Sequence, residues 1–274
     1  MRITLILFSL PLFITTIFLY GFLAWNLYYS FTNFSVLNPD YRFVGLATYL
    51  QLFSDPLFQS ALVKTLLWIV VLVAVGNLVG LVIASLIYNL ASATWRNILT
   101  AYFIYPLSLS LVASGIIWRW LLDADRGIGR FFGNPLQGEA AFWSISLVSV
   151  WVYSGLATLF YLAMFYNVDK SQLESAQIDG AGKLYTMLRI VIPQSKQSLI
   201  ISTIFFTLFA IQMFDLPYSI LFLNPNTMTL VMYTFMKFTA FYLAVASASA
   251  VVIIAISAVI VIPYSLLSLK RWIR

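Results

Sequence analysis

The chain contains no cysteine and no histidine, and it is poor in charge. Without cysteine there is no disulfide and no thiolate chemistry, and the compartment cannot be read from cysteine usage. Without histidine the commonest metal ligand and the commonest general base are missing. Only 9% of the 274 residues are charged, against roughly 25% in a soluble domain. The 62% that are hydrophobic exceed what a buried core demands, so the bilayer must act as solvent for much of the surface. The net charge of +6 comes from 15 basic residues against 9 acidic ones. The basic residues are scattered between apolar stretches and form no patch. That distribution fits membrane orientation and not nucleic-acid binding.

What is present is a series of long apolar runs. About 20 apolar residues are needed per helical crossing. In lipid such runs must be helices or a closed barrel, because backbone groups cannot go unpaired. These runs are far longer than barrel strands, so the sequence predicts an all-α, polytopic membrane protein. Six transmembrane helices are expected, over about 3–29, 61–90, 98–122, 142–168, 197–223 and 243–269. The first run is too long for a signal-peptide core and no small-residue cleavage site follows it, so it is read as a retained span. Lys64 is expected to snorkel to the surface, and Pro106 to kink the third span. Residues 33–60, with Asn38-Pro39, read as a polar loop, and 228–242 as a surface helix. Residues 123–141 are polar too; Asp123 and Asp125 lack the full calcium-loop pattern and read as a solvated turn.

An even number of spans puts both termini on one side. With the ends in the cytoplasm, the inner segments carry nine basic residues, Arg2, Lys270, Arg271 and Arg274 among them, and the outer segments six. That bias has the sign the positive-inside rule requires. No internal repeat or soluble domain stands out, and 1–274 is read as a single transmembrane domain.

Residues 171–193 are too polar for a bilayer interior and lie between apolar runs. Ser171 and Glu174 have the spacing of a capping box, and Gly180 is the expected left-handed stop. A second helical pattern, Leu184, Met187, Leu188 and Val191, runs into Pro193. Such a helix–turn–helix offers a soluble partner something rigid to hold. Gly180-Ala-Gly182-Lys183 is similar to the end of a phosphate-binding loop. Gln177 and Leu184, however, stand where that loop needs glycine and Ser or Thr, so no ATP binding by this chain is expected. Glu174 and Asp179 make a poor acid–base pair, since five helical residues set them about 140° apart.

The pattern Glu174-Ser175-Ala176, Asp179-Gly180-Ala181, Ile190 and Pro193 resembles the EAA loop of binding-protein-dependent ABC importer permeases. Ser175 replaces an alanine, Met187 stands where phenylalanine is usual, and a second proline after Pro193 is missing. Phe43–Phe58, Ile116–Leu121 and Phe214–Tyr218 resemble the carbohydrate branch of that family. The resemblance implies a type I ABC importer permease architecture whose coupling loop spans 169–195. Glu174 would face an ATPase groove, and Asp179 would hold the turn and cap the second short helix. The implied partners are a second, non-identical permease, two cytoplasmic ATPase subunits and an external solute-binding protein. The ATPase subunits would bind the Mg-ATP, so this chain would carry no cofactor and catalyse nothing. It would sit in the plasma or inner membrane with both termini cytoplasmic and pass a sugar.

Asp215 is the one acidic residue within an expected span, and intramembrane charge by default suggests function. It is read as lining the substrate path, with Gln212 and Tyr218 one turn to either side. Alignment on sugar permeases from the EAA loop adds Val152, Tyr153, Leu156, Phe206, Ala210 and Met213. Tyr153 offers a ring to stack on a sugar and a hydroxyl to bond it. A permease of the same superfamily for a non-sugar solute is the first alternative. An ion-coupled secondary transporter is the second, and it would need more buried charge.

Overall fold

The computed structural model describes the backbone of residues 2–37 and 39–272 and the side chains of 10–37 and 39–263. Asn38 and Arg274 lie outside the described residues, as do the side chains of Arg2, Lys270 and Arg271. In chain order the helices are α1 (Arg2–Ser30), α2 (Ala47–Ser54), α3 (Pro56–Tyr88), α4 (Ala93–Ser108), α5 (Leu111–Leu121) and α6 (Gly138–Phe165). They continue with α7 (Lys170–Ile178), α8 (183–194), α9 (Lys196–Ile211), α10 (Asp215–Leu221), α11 (Leu230–Thr239) and α12 (Leu243–Trp272). Four helices are long and apolar enough to cross a membrane, in α1, α3, α6 and α12; the bent pairs α4–α5 and α9–α10 make up to six if each is one span.

Both pairs bend more sharply than the sequence suggests. The angle is 98° between α4 and α5 and 43° between α9 and α10. Pro106 lies inside α4, and the chain leaves the helix at Leu109 and Ser110, both extended. Proline gives no N–H to the preceding turn, so that turn is weakened just before the break. The third apolar run is therefore two helices meeting nearly at a right angle. The outer loop read at 33–60 likewise contains α2 and the start of α3.

The chain divides into two compact units. The smaller comprises residues up to Ala61 with Leu230–Ile256. No residue in the apolar window of its α1 is buried. With Phe18 75% exposed, that surface requires lipid or another apolar partner. Within this unit Asp55, which ends α2, is latched to α11. The Tyr233 hydroxyl donates to Asp55 Oδ2 at 2.7 Å, Lys237 Nζ lies 3.0 Å from the same oxygen, and the Leu57 N–H donates to Oδ1 at 2.9 Å. Partial burial opposes the Asp55 charge, but the bonds from Tyr233 and Lys237 outweigh it and hold the carboxyl below its ordinary pKa. Burial, with the Asp55 hydrogen bond and charge, pushes the Tyr233 hydroxyl far upward.

The depressed carboxyl stabilises the latch fully above about pH 4, and that contribution is lost as pH falls; the raised phenol stabilises it below about pH 10, and that is lost as pH rises. Asp55→Asn should therefore lower the melting temperature at neutral pH. The gap from the native protein should close as pH falls through the lowered carboxyl pKa. Melting curves across pH test this, and a gap that ignores pH would show that the latch is not ionic.

The larger unit, Leu62–Thr229 with the residues after Ile256, is built around α6. This helix is apolar all round, as a helix buried on every side must be, and 72% of its apolar window is buried. It packs against α3, α4 and α9. Small residues let the backbones approach: a Cβ on Gly80 would overlap Ala157, and one on Gly155 would overlap the Phe103 carbonyl oxygen. Polar side chains tie the helices laterally. Trp68 Nε1 donates to Ser149 Oγ at 3.1 Å, and Ser198 Oγ to the Phe160 carbonyl at 2.6 Å. Asn77 Oδ1 accepts from Tyr161 at 3.2 Å and also from Ser202, joining α3, α6 and α9. Asn77→Leu strands the buried Tyr161 hydroxyl, whereas Ser202 Oγ still donates to the Ser198 carbonyl at 2.7 Å. The substitution should cost about 1–2 kcal/mol, read as a lower melting temperature in detergent.

Lys64 does not reach open solvent. It is 8% exposed, with Nζ 3.7 Å from Glu139 Oε2 and 5.3 Å from the centre of the Phe142 ring. Glu139 lies in the first turn of α6, so the lysine finds a carboxylate at the surface in place of water. Asp123 Oδ1 accepts the N–H groups of Asp125 at 2.9 Å and Arg126 at 2.8 Å. These backbone bonds, Arg126 first, hold its carboxyl below the usual range. That carboxylate organises a turn, and no group of three or more metal-ligating side chains occurs among the described residues.

Candidate functional site

The polar stretch between α6 and α9 folds as two short helices joined at Gly180. Its first helix starts earlier than the sequence suggests. Asp169 is the N-cap, in extended conformation, and its Oδ1 accepts the Ser171 N–H at 2.9 Å. The Ser171–Glu174 capping box does not form, because a carboxylate two residues upstream has already taken the free donor. Ser171 lies inside α7, where its carbonyl accepts from Ser175 Oγ at 2.8 Å. Glu174 is exposed and makes no hydrogen bond or ion pair among the described residues.

Gly180 ends α7 as expected, with φ +79°. Its N–H bonds the Gln177 carbonyl at 3.0 Å, and the Ala181 N–H reaches back to Ala176 at 2.8 Å. These are the paired bonds of a Schellman turn. Asp179 closes α7 through its backbone but does not cap α8, whose N-cap is Gly182 with no side-chain bond. The extended Gly182 already directs the chain, and the Asp179 side chain stays exposed. Within α8, residues Met187–Val191 form a π turn, a distortion concentrated at functional positions. Gln194 Nε2 donates to Gln172 Oε1 at 2.8 Å, closing the two helices into one body.

The element has two faces. Ala176, Met187 and Val191 are buried, and Leu173 and Ile190 pack against the same core as Val168 and Phe165. The opposite face shows Ile178 at 87%, Leu184 at 73%, Tyr185 at 60% and Leu188 at 55% exposure. Ser175 and Pro193 are exposed and Ala181 half-buried. The pattern Leu184, Met187, Leu188, Val191 therefore splits, two inward and two outward. Sequence reasoning missed Ile178 and Tyr185. The available signal was apolar residues in a stretch too polar for a bilayer, more of them than its small core absorbs.

The candidate path residues fall into two groups. Val152, Tyr153, Phe206, Ala210 and Met213 are buried in the core around α6, and the Tyr153 ring stacks on Phe209 at 4.7 Å. Gln212 ends α9 and Asp215 begins α10; both are exposed at the bend. Tyr218 is half-buried and stacks on Phe214 at 4.9 Å, and Leu156 is half-buried in α6.

Residues 76–273 match the family described as the binding-protein-dependent transport system inner membrane component. The chain belongs to this family. It is similar to the glucose import system permease protein GlcT of Saccharolobus solfataricus, at 38% identity over 99% of this chain and 98% of that protein. A probable ABC transporter permease protein of Pyrococcus horikoshii is 30% identical over 97% and 96%. Among solved structures, a bacterial ABC transporter involved in the import of the acidic polysaccharide alginate superposes with TM-score 0.80 at 18% identity, covering 97% of this chain and 95% of that one. That likeness is of fold. The binding-protein-dependent permease is thus a membrane transport subunit of the ABC importer class and not an enzyme.

Proposed function

We propose that this permease carries a sugar across the membrane and is driven through residues 169–195. The observation that carries this reading is the two-faced element: one face locked into the core of α6, the other apolar and exposed, with none of the described residues covering it. An ATPase groove that takes Ile178, Leu184, Tyr185 and Leu188, with Glu174 at its rim, would bury that face. Movement of the ATPase dimer would then reach α6 through Ala176, Met187 and Val191 without a flexible joint. Two ATPase subunits supply Mg-ATP hydrolysis, a second permease completes the path, and an external binding protein delivers the solute. The positive-inside bias supports a cytoplasmic element and cytoplasmic termini. The glucose import relative favours a carbohydrate over other solutes.

The absence of native cysteine makes the test direct. Ile178→Cys and Leu184→Cys should crosslink to a cysteine on the ATPase subunit, in a manner that changes with nucleotide. Capture of nothing, or labelling of these positions from outside the cell, overturns the coupling reading. ATPase stimulation of the purified complex by a solute panel tests the sugar; stimulation by non-sugars alone overturns that half. Asp215→Asn should raise the apparent KM for the solute about 3- to 10-fold, the value of one hydrogen bond near 1 kcal/mol. An unchanged KM returns Asp215 to a structural role.

A further inference from the structure

Behind the coupling face lies a cavity of about 390 Å³, walled by the turn between α3 and α4, the end of α6, and both helices of the 169–195 element. That volume is within the range of small-molecule pockets, about 300–1,000 Å³. Its charged lining is entirely basic: Arg96, Lys170 and Lys183. None of the three makes an ion pair among the described residues. The nearby carboxylates do not line it: Asp169 is spent on the Ser171 N–H, and Glu174 and Asp179 are exposed elsewhere on the element. Tyr88 and Tyr166 stand together in the wall with ring centres 5.5 Å apart, and Gln177 adds an amide. Three cations, two phenols and an amide around one space make a site for an anion with several acceptor oxygens.

The depth of the cavity narrows the source of that anion. Three apolar helices terminate at it: α3 ends at Tyr88, α4 begins at Ala93, and α6 ends at Phe165. Trp95, beside Arg96, is 59% exposed, as an interfacial anchor would be. The cavity thus opens where apolar spans meet water, the level of lipid headgroups, and basic pockets between spans at that level suit anionic headgroups.

We propose that Arg96, Lys170 and Lys183 hold the phosphate of an anionic membrane lipid. The bound headgroup bridges the α3–α4 turn and the two coupling helices. It fills the space behind the face that an ATPase would push, and so stiffens the element against collapse.

The test uses the permease–ATPase complex in phosphatidylcholine membranes with and without phosphatidylglycerol, and in phosphatidylcholine with inorganic phosphate. Amine acylation of Lys170 and Lys183, read by mass spectrometry, reports occupancy. Native mass spectrometry reports retained lipid. Phosphatidylglycerol should protect both lysines and be retained. Arg96→Gln and Lys183→Gln should each weaken retention about fivefold, the equivalent of about 1 kcal/mol per cation. Arg130→Gln, on the loop before α6, should not. Protection by inorganic phosphate alone overturns the lipid assignment in favour of a soluble anion. Equal reactivity in all three conditions, or equal shielding by the ATPase subunits, overturns the site. Because these readouts are of binding, their failure leaves the transport reading to its own crosslinking test.

Discussion

Gly180→Pro is expected to abolish uptake while the protein still accumulates in the membrane. The residue holds φ at +79°, and proline is confined near −65°. Proline also removes the N–H that bonds the Gln177 carbonyl at 3.0 Å. Both determinants of the turn disappear at once, and α8 leaves α7 in another direction. The buried side of α8, Met187 and Val191, is then no longer aligned with Ala176. The effect is conformational and not steric, since a Cβ at this position meets nothing within 4 Å. A graded series follows. Alanine should cost only the left-handed penalty of about 1–2 kcal/mol and retain partial uptake. Asparagine, which tolerates this conformation, should stay close to native. Initial uptake rates normalised to membrane level would rank them. Native uptake by the proline variant would falsify the rigid-turn argument. An alanine variant as inert as proline would instead mean that a partner sits against the Cα.

Gly155→Val should be the most damaging single change within the larger unit. Gly155 lies where α6 meets α4, and its missing side chain is replaced by the Phe103 carbonyl and the Ile104 Cα. Backbone atoms cannot turn aside as a side chain can. The inserted carbons must therefore push two packed helices apart and strip contacts along both. Overpacking of a core typically costs about 1–3 kcal/mol, and backbone against backbone puts this case at the upper end. The melting temperature should fall on the order of 10 °C, with poor recovery after detergent extraction. Gly155→Ala should lose less. Gly21→Val is the control, because a Cβ on Gly21 in α1 meets nothing within 4 Å. Equal loss at Gly21 and Gly155 would show that valine itself, and not helix proximity, is responsible.

Much of the architecture follows from local chemistry. Apolar runs longer than a bilayer crossing must be helical wherever they lie, so their number and order can be read directly. The turn at Gly180 is legible for a similar reason: the left-handed conformation is a property of one residue, and the acceptors it satisfies lie within the same short helix. The motif around it, from Glu174 to Pro193, locates the proposed coupling element without tertiary information. Its cap was less legible. Asp169 and Ser171 both offer suitable oxygens, and the choice depended on where α7 began.

The buried pairings were hidden in the sequence. Lys64 meets Glu139 across 75 positions, and Asn77 meets Tyr161 and Ser202 from different helices. The 98° break after α4 needed more than Pro106, which kinks many helices that continue. The sequence by itself determined an all-helical membrane chain with a rigid polar element between its fourth and fifth apolar runs, because solvation of the backbone and the freedom of one glycine act locally. Only the tertiary structure decided which side of each helix is core. A helix that is apolar on every side carries no periodic signal to separate a neighbour from lipid, so Tyr153 could be placed inside and Phe18 outside only once the helices were packed.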